Sequence, residues 1–234
     1  MQRTLILSAV IASSVLLAGC GGKSSGPAAT SAQPAVAPIN TKPGYEKTLI
    51  PFKVGNKWTY SLEQVQVRNG QRSGGTSEVV YQVTKLDGTL ATLEISQDNK
   101  LIDRQVWQLN DKGLYQISIS KNNIPYVPAQ PIALFPIDKN KSFKWTGTGI
   151  TAVGKSGNQT VQTYVRDVME VDSPAGRFNA IPFESTFDLT GGVKGKGTST
   201  TYLTPGVGIV RYAQKIEADV AQATVLLKLK SKNF

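Results

Sequence analysis

Beyond residue 49 the chain alternates apolar and polar positions with a period of two. The clearest run places Ile181, Phe183, Ser185, Phe187 and Leu189 on one face, with Pro182, Glu184, Thr186 and Asp188 on the other. Such alternation gives a strand one face for a core and one for solvent. Val79-Tyr81-Val83 and Ala91-Leu93-Ile95 repeat it, and the Asp87-Gly88 pair between them supplies the positive φ of a tight hairpin turn. Apolar residues do not recur at i, i+3, i+4 and i+7 in any Gly- and Pro-free stretch long enough for an amphipathic helix.

The pattern predicts strands near 57–68, 77–86, 89–97, 101–109, 114–120, 143–153, 159–172, 178–190, 193–203, 207–216 and 221–231. Turn residues separate them: Asn69-Gly70, Asp98-Asn99, Asp111-Lys112-Gly113, Gly154 to Asn158, Pro174-Ala175-Gly176, Gly191-Gly192 and Pro205-Gly206. Nearly all connections are of hairpin length, which favours antiparallel pairing and excludes helical crossovers. The predicted fold is all-β: a single antiparallel meander of about eleven strands over 49–234, either barrel-like or a twisted β-sandwich. Pro125, Pro128, Pro131 and Pro136 predict a long loop over 121–142, dividing the domain into halves at 49–120 and 133–234. Phe52 to Thr59 and Pro136 to Thr146 enter their strands with similar Lys-Trp-Thr phrases, an echo consistent with that division. Phe234 reads as a frayed end.

Ahead of the domain stand two segments of different character. Residues 1–19 have Arg3 as a positive n-region and an apolar run from Leu5 to Leu17, the order of an export signal and too short for a committed membrane span. From 20 to 48 the composition turns to Gly, Ser, Ala and Pro with few large apolar side chains, so the segment is predicted to be a flexible tether. Leu17-Ala18-Gly19-Cys20 resembles the bacterial lipobox. The resemblance implies cleavage before Cys20 and attachment of acyl chains to it, anchoring the protein to a membrane without spanning it. Gly21 after the cysteine resembles the pattern sent to the outer membrane, so the expected location is the bacterial envelope, outer membrane, facing the periplasm.

Composition removes whole classes of chemistry. There is no histidine among the 234 residues, which excludes a Ser-His-Asp triad, a Cys-His pair and any His-ligated metal. One cysteine excludes an internal disulfide and a Cys-cluster metal site. No phosphate loop or Ca²⁺ loop is present, and no cofactor is expected. The net charge of +10 is spread over Lys53, Lys57, Arg68, Arg72, Lys139, Lys141, Lys144, Lys194, Lys196, Lys228, Lys230 and Lys232. In an exported protein this suits anionic lipid, wall polymer or envelope proteins, not nucleic acid. Solvated lysines that block edge pairing explain most of the same residues.

Three phrases, Phe52 to Tyr60, Ser173 to Ala180 and Tyr202 to Val210, resemble those of secreted bacterial β-rich domains of unknown function, often lipoproteins. That resemblance covers most of 49–215 and implies a fold, with no active site to carry over.

Two constellations remain as candidate chemistry. Trp58, Tyr60, Trp107, Trp145, Phe183 and Phe187 fit the lining of a barrel pocket, and equally the filling of a packed core. Asp167, Glu170, Asp172, Glu184 and Asp188 would support a hydrolase only if two of them faced one cleft. The expected role is therefore a non-catalytic binding or envelope assembly-support module. A carrier of lipid or another hydrophobic ligand is the alternative, and a carboxylate hydrolase the third.

Overall fold

The structure is a computed structural model describing residues 44–150, 156–191, 193–219 and 221–234. Cys20, the leader and the tether up to 43 lie outside the described residues. A single 3₁₀ turn, Tyr45–Thr48, precedes thirteen strands. The strands β1 (Lys57–Arg68), β2 (Gln71–Asp87), β3 (Leu90–Gln97), β4 (Lys100–Asn110) and β5 (Gly113–Ile119) run as an antiparallel meander. It continues through β6 (Ile124–Leu134), β7 (Ser142–Ile150) and β8 (Ser156–Val165). The short β9 (Met169–Ser173) pairs with the first residues of β10 (Gly176–Thr190), whose later residues pair with β8. The last three strands are β11 (Gly195–Thr204), β12 (Gly208–Ala218) and β13 (Ala221–Lys232).

A hairpin pairing and one long-range pairing close the sheet. On its other side β10 pairs with β11 from Ile181↔Leu203 to Leu189↔Gly195, and β13 pairs with β1 from Trp58↔Lys232 to Val67↔Gln222. The result is a closed twelve-stranded antiparallel barrel, with β9 outside the ring. Closure leaves the ring no free edge to template aggregation. Of the two architectures the alternation allowed, the barrel is the one formed.

Local chemistry explains the meander. Asn69 and Gly70 form the two-residue turn between β1 and β2 with φ of 49° and 74°, and Asp98-Asn99 do the same between β3 and β4 with 50° and 59°. Positive φ at both central positions is the turn whose twist matches paired strands. Along β1 the residues Trp58, Tyr60 and Leu62 are buried while their neighbours are less so, as the alternation requires.

The segment 121–142, expected as a loop, differs. It carries β6, which pairs with β5 and touches β7 at Val127↔Thr148. The sheet therefore runs unbroken across the segment expected to divide the domain. Prolines are confined to edges and bulges because they donate no ladder hydrogen bond. Here they lie in a strand whose register to β5 shifts twice and whose pairing to β7 is minimal. The strand predicted at 159–172 is two, β8 and β9.

One end of the barrel is capped. Leu49 and Ile50, directly after the 3₁₀ turn, are buried in the main core with Trp58, Leu203 and Leu229. The Gly206 N–H donates to the Thr48 carbonyl at 2.7 Å, and the Trp58 indole N–H donates to the Val207 carbonyl at 2.6 Å. Phe234 is not frayed. Its ring meets Trp58 edge to face at 5.1 Å, Lys232 sits over it, and the Asn233 carboxamide accepts from the Lys57 N–H at 2.6 Å. The outer face carries ion pairs along the strands, among them Glu63 with Lys228, Glu94 with Arg104 and Glu184 with Arg166. Among the described residues no helix is long and apolar enough to cross a membrane.

Candidate interior cavity

An eight-stranded barrel is just wide enough for side chains to fill it. Twelve strands enclose more, and here the aliphatic filling stops short: a cavity of about 130 Å³ extends from mid-barrel away from the capped end. Its volume is the liquid share of about four waters at ~30 Å³ each. That is below the ~300–1,000 Å³ of sites enclosing a drug-sized molecule. The space suits a slim chain end.

Four of the six aromatic residues singled out from the sequence meet there: Tyr60, Trp107, Phe183 and Phe187. The other two are elsewhere. Trp58 shares the main core with Tyr60, Trp107 and Phe183 but sits at its capped end, off the cavity wall. Trp145 packs edge to face on Tyr126 at 5.9 Å and donates its indole N–H to the Pro128 carbonyl at 3.1 Å. Phe187 reaches the cavity because its neighbour across the ladder is Gly197, where a Cβ would meet the Phe187 ring and the Lys215 carbonyl.

The wall is not wholly apolar. Tyr81, Gln105, Gln159, Thr163, Tyr212 and Gln214 also line it. The Tyr60 hydroxyl donates to the Ile209 carbonyl at 3.0 Å, and its ring meets Tyr81 edge to face at 5.1 Å. The Trp107 indole donates to the Gln105 carboxamide oxygen at 2.9 Å. Thr163 and Ser185 share a hydroxyl hydrogen bond of 2.8 Å. Tyr81 is only 7% exposed, yet its hydroxyl has no hydrogen-bond partner among the described residues; the same holds for the Gln214 carboxamide oxygen. Burial holds the phenols of Tyr60, Tyr81, Tyr126 and Tyr212 protonated, well above their ordinary range.

Behind Gln105 lies Asp103, 4% exposed. It accepts from the Arg104 N–H at 2.8 Å and from the Gln105 carboxamide at 3.5 Å. Burial pushes its carboxyl up to about 6, against the opposing pull of these hydrogen bonds.

The five carboxylates weighed as hydrolytic candidates stand outside the cavity wall. Asp167 pairs with Lys139 at 2.6 Å, Glu170 and Asp172 both pair with Arg177, and Glu184 pairs with Arg166 at 2.6 Å. Asp188 is exposed on the outward side of β10. Among the described residues no three His, Cys, Asp or Glu side chains are grouped to hold a metal ion.

Tyr81, Gln105, Gln159, Tyr212 and Gln214 were not among the residues singled out from the sequence. Their signal was a polar residue in the inward phase of a strand: Gln105 lies two residues before Trp107, and Tyr81 lies between Val79 and Val83. Alternation marks such positions as inside and leaves open what they face.

The fold and cavity define a closed antiparallel barrel with a small amphiphilic interior site. No protein-family model matches the chain, and no curated protein matches it. It is similar in fold to a Bacteroides fragilis protein described as exported with a YmcC-like fold, at 14% identity, covering 79% of this chain and 98% of that one, with a TM-score of 0.46. A protein from Parabacteroides distasonis described as a lipoprotein is 14% identical, covers 80% and 98% of the two chains, and gives 0.41. The Escherichia coli lipoprotein YmcC is 9% identical, covers 73% and 87%, and gives 0.39. Likeness at this level assigns no activity.

Proposed function

We propose that this protein is a lipoprotein of the bacterial envelope, held by acyl chains on Cys20 at the outer membrane and facing the periplasm, and that its barrel is a non-catalytic binding module. The Leu17-Ala18-Gly19-Cys20 sequence, with the chain's one cysteine at the acceptor position, supports the anchor. One observation carries the binding role: Tyr60, Trp107, Phe183 and Phe187 converge on an interior cavity that the core leaves unfilled. The ligand is the end of a slender, mainly apolar chain, since the volume is too small for a bulky molecule.

Trp107 is the one tryptophan of the three that lines the cavity. Bromine atoms on a bound chain would therefore quench it selectively. The test mixes the full-length protein in phosphatidylcholine vesicles with two chain-brominated probes, an alcohol and a fatty acid. With at least one probe, emission falls in the parent protein, the fall is mostly lost in Trp107→Phe, and Thr201→Phe, which fills the cavity from β11, blocks it. A parent protein quenched by neither probe, or a Thr201→Phe variant quenched like the parent, would overturn the reading.

A further inference from the structure

The cavity wall has a property that bears on which chain can enter. None of its described lining residues is Lys, Arg, Asp or Glu. The cations of β12 lie on the other side of the sheet. Tyr212, Gln214 and Ile216 face inward along β12, so Arg211 and Lys215 between them face outward. There the Arg211 guanidinium lies over the Tyr202 ring and Lys215 pairs with Glu217. The one buried carboxyl close to the wall is Asp103, behind Gln105. A carboxylate or phosphate drawn into this space would lose its hydration without meeting a counter-ion on the described wall, and the cation beside Asp103, Lys121, already faces that carboxyl.

Two polar atoms on the same wall lack a partner among the described residues: the hydroxyl of Tyr81, which can donate, and the carboxamide oxygen of Gln214, which can accept. An unpaired buried polar group is costly, so a ligand that pairs it gains specificity as well as affinity. We infer that the cavity takes an uncharged single-chain amphiphile, a hydrocarbon segment bearing a hydroxyl or ester group that pairs with Tyr81, and that it discriminates against anionic lipids of the same chain. This rests on the cavity-binding reading above and narrows it to a chemical class.

The experiment uses two photoactivatable probes with the same diazirine-bearing chain: a monoacylglycerol, and the free fatty acid held at about pH 9 so that its carboxyl is ionised. Each is added to full-length protein in phosphatidylcholine vesicles, irradiated, and the labelled peptides are identified by mass spectrometry. The monoacylglycerol is expected to label the inward faces of β4 and β10, around Trp107 and Phe183, at least about tenfold more than the fatty acid. Tyr81→Phe should reduce that labelling about fivefold. Because the hydroxyl it removes has no partner among the described residues, the variant's thermal midpoint should not fall, which separates lost pairing from lost folding.

Equal labelling of the cavity by the fatty acid would overturn the neutral-ligand inference and leave cavity binding standing. Cavity labelling by neither probe would overturn both. Labelling by the monoacylglycerol that Tyr81→Phe leaves unchanged would remove Tyr81 from the recognition.

Discussion

At the scale of single residues the least ordinary position is Asp103. A carboxyl with a folded value near 6, against an ordinary 3.8, binds its proton more tightly in the folded than in the unfolded chain. Its contribution is therefore fully present below about pH 4 and is lost as pH rises through about 6. The shift corresponds to about 3 kcal/mol as an upper bound. Asp103→Asn keeps an acceptor for the Arg104 N–H and removes the charge. Urea unfolding at pH 4, 5, 6 and 7 is expected to show the parent losing stability across that window relative to the variant, with the variant more stable at pH 7 by about 1–2 kcal/mol. Parallel pH profiles for the two proteins would show that Asp103 does not titrate in this way. Its inward position was legible in the sequence, since Asp103, Gln105 and Trp107 share one phase of β4. Its burial was not, because alternation does not distinguish a barrel interior from a solvated face when the residue itself is polar.

At the scale of elements, what could be read and what could not divides along local and non-local chemistry. The hairpins at Asn69-Gly70 and Asp98-Asn99 announce themselves, because a two-residue turn is decided by the residues within it; the β2–β3 turn falls on Gly88-Thr89, one residue on from the Asp87-Gly88 pair that signalled it. β6 was hidden by Pro125, Pro128 and Pro131, which contradict strand composition and are tolerated because the pairing around them is irregular. The closing pairing of β13 with β1 depends on residues distant in sequence and left no local signal, whereas β10 meets β9 and β11 through hairpins marked by Pro174-Ala175 and Gly191. The β6–β7 seam is consequently the weakest in the ring. Its register is the single pair Val127↔Thr148, with the Trp145 indole bridging to the Pro128 carbonyl, whereas β1 and β2 pair continuously from Lys57↔Gln82 to Arg68↔Gln71. Native-state hydrogen exchange should find the amides of Val127, Ala129 and Thr148 exchanging on the order of 100-fold faster than those of Tyr60 and Leu62. Comparable protection at the two sites would mean that the seam is held by something other than its ladder.

At the scale of the whole molecule, closure and cavity belong to one design. A closed ring needs no disulfide to protect its edges, and the chain's single cysteine stands apart from it in sequence, at position 20. The candidate cavity was only partly legible for a related reason: the aromatics that fill the capped end and those that line the void obey the same alternation, and strand number alone decides how much space is left over. Trp58 and Phe183 were indistinguishable as letters in a pattern, yet one lies under the Leu49-Ile50 cap and the other on the cavity wall. The chain enters the barrel at that capped end, so an anchor at Cys20 would attach the molecule to its membrane through the segment preceding Tyr45. Acyl chains contribute about 0.8 kcal/mol per buried methylene, far more than scattered lysines can, particularly when Lys139, Lys228 and Lys230 already face carboxylates on the protein itself. Membrane attachment should therefore depend on position 20 and be little affected by salt. In the parent, labelled fatty acid is expected to co-migrate with a mature protein that resists a high-salt wash. In Cys20→Ala, incorporation should vanish and the band should move to the size of the unprocessed precursor. Label retained by Cys20→Ala, or parent protein stripped by salt alone, would show that surface charge or another site holds the protein and that the acyl anchor is not its means of attachment.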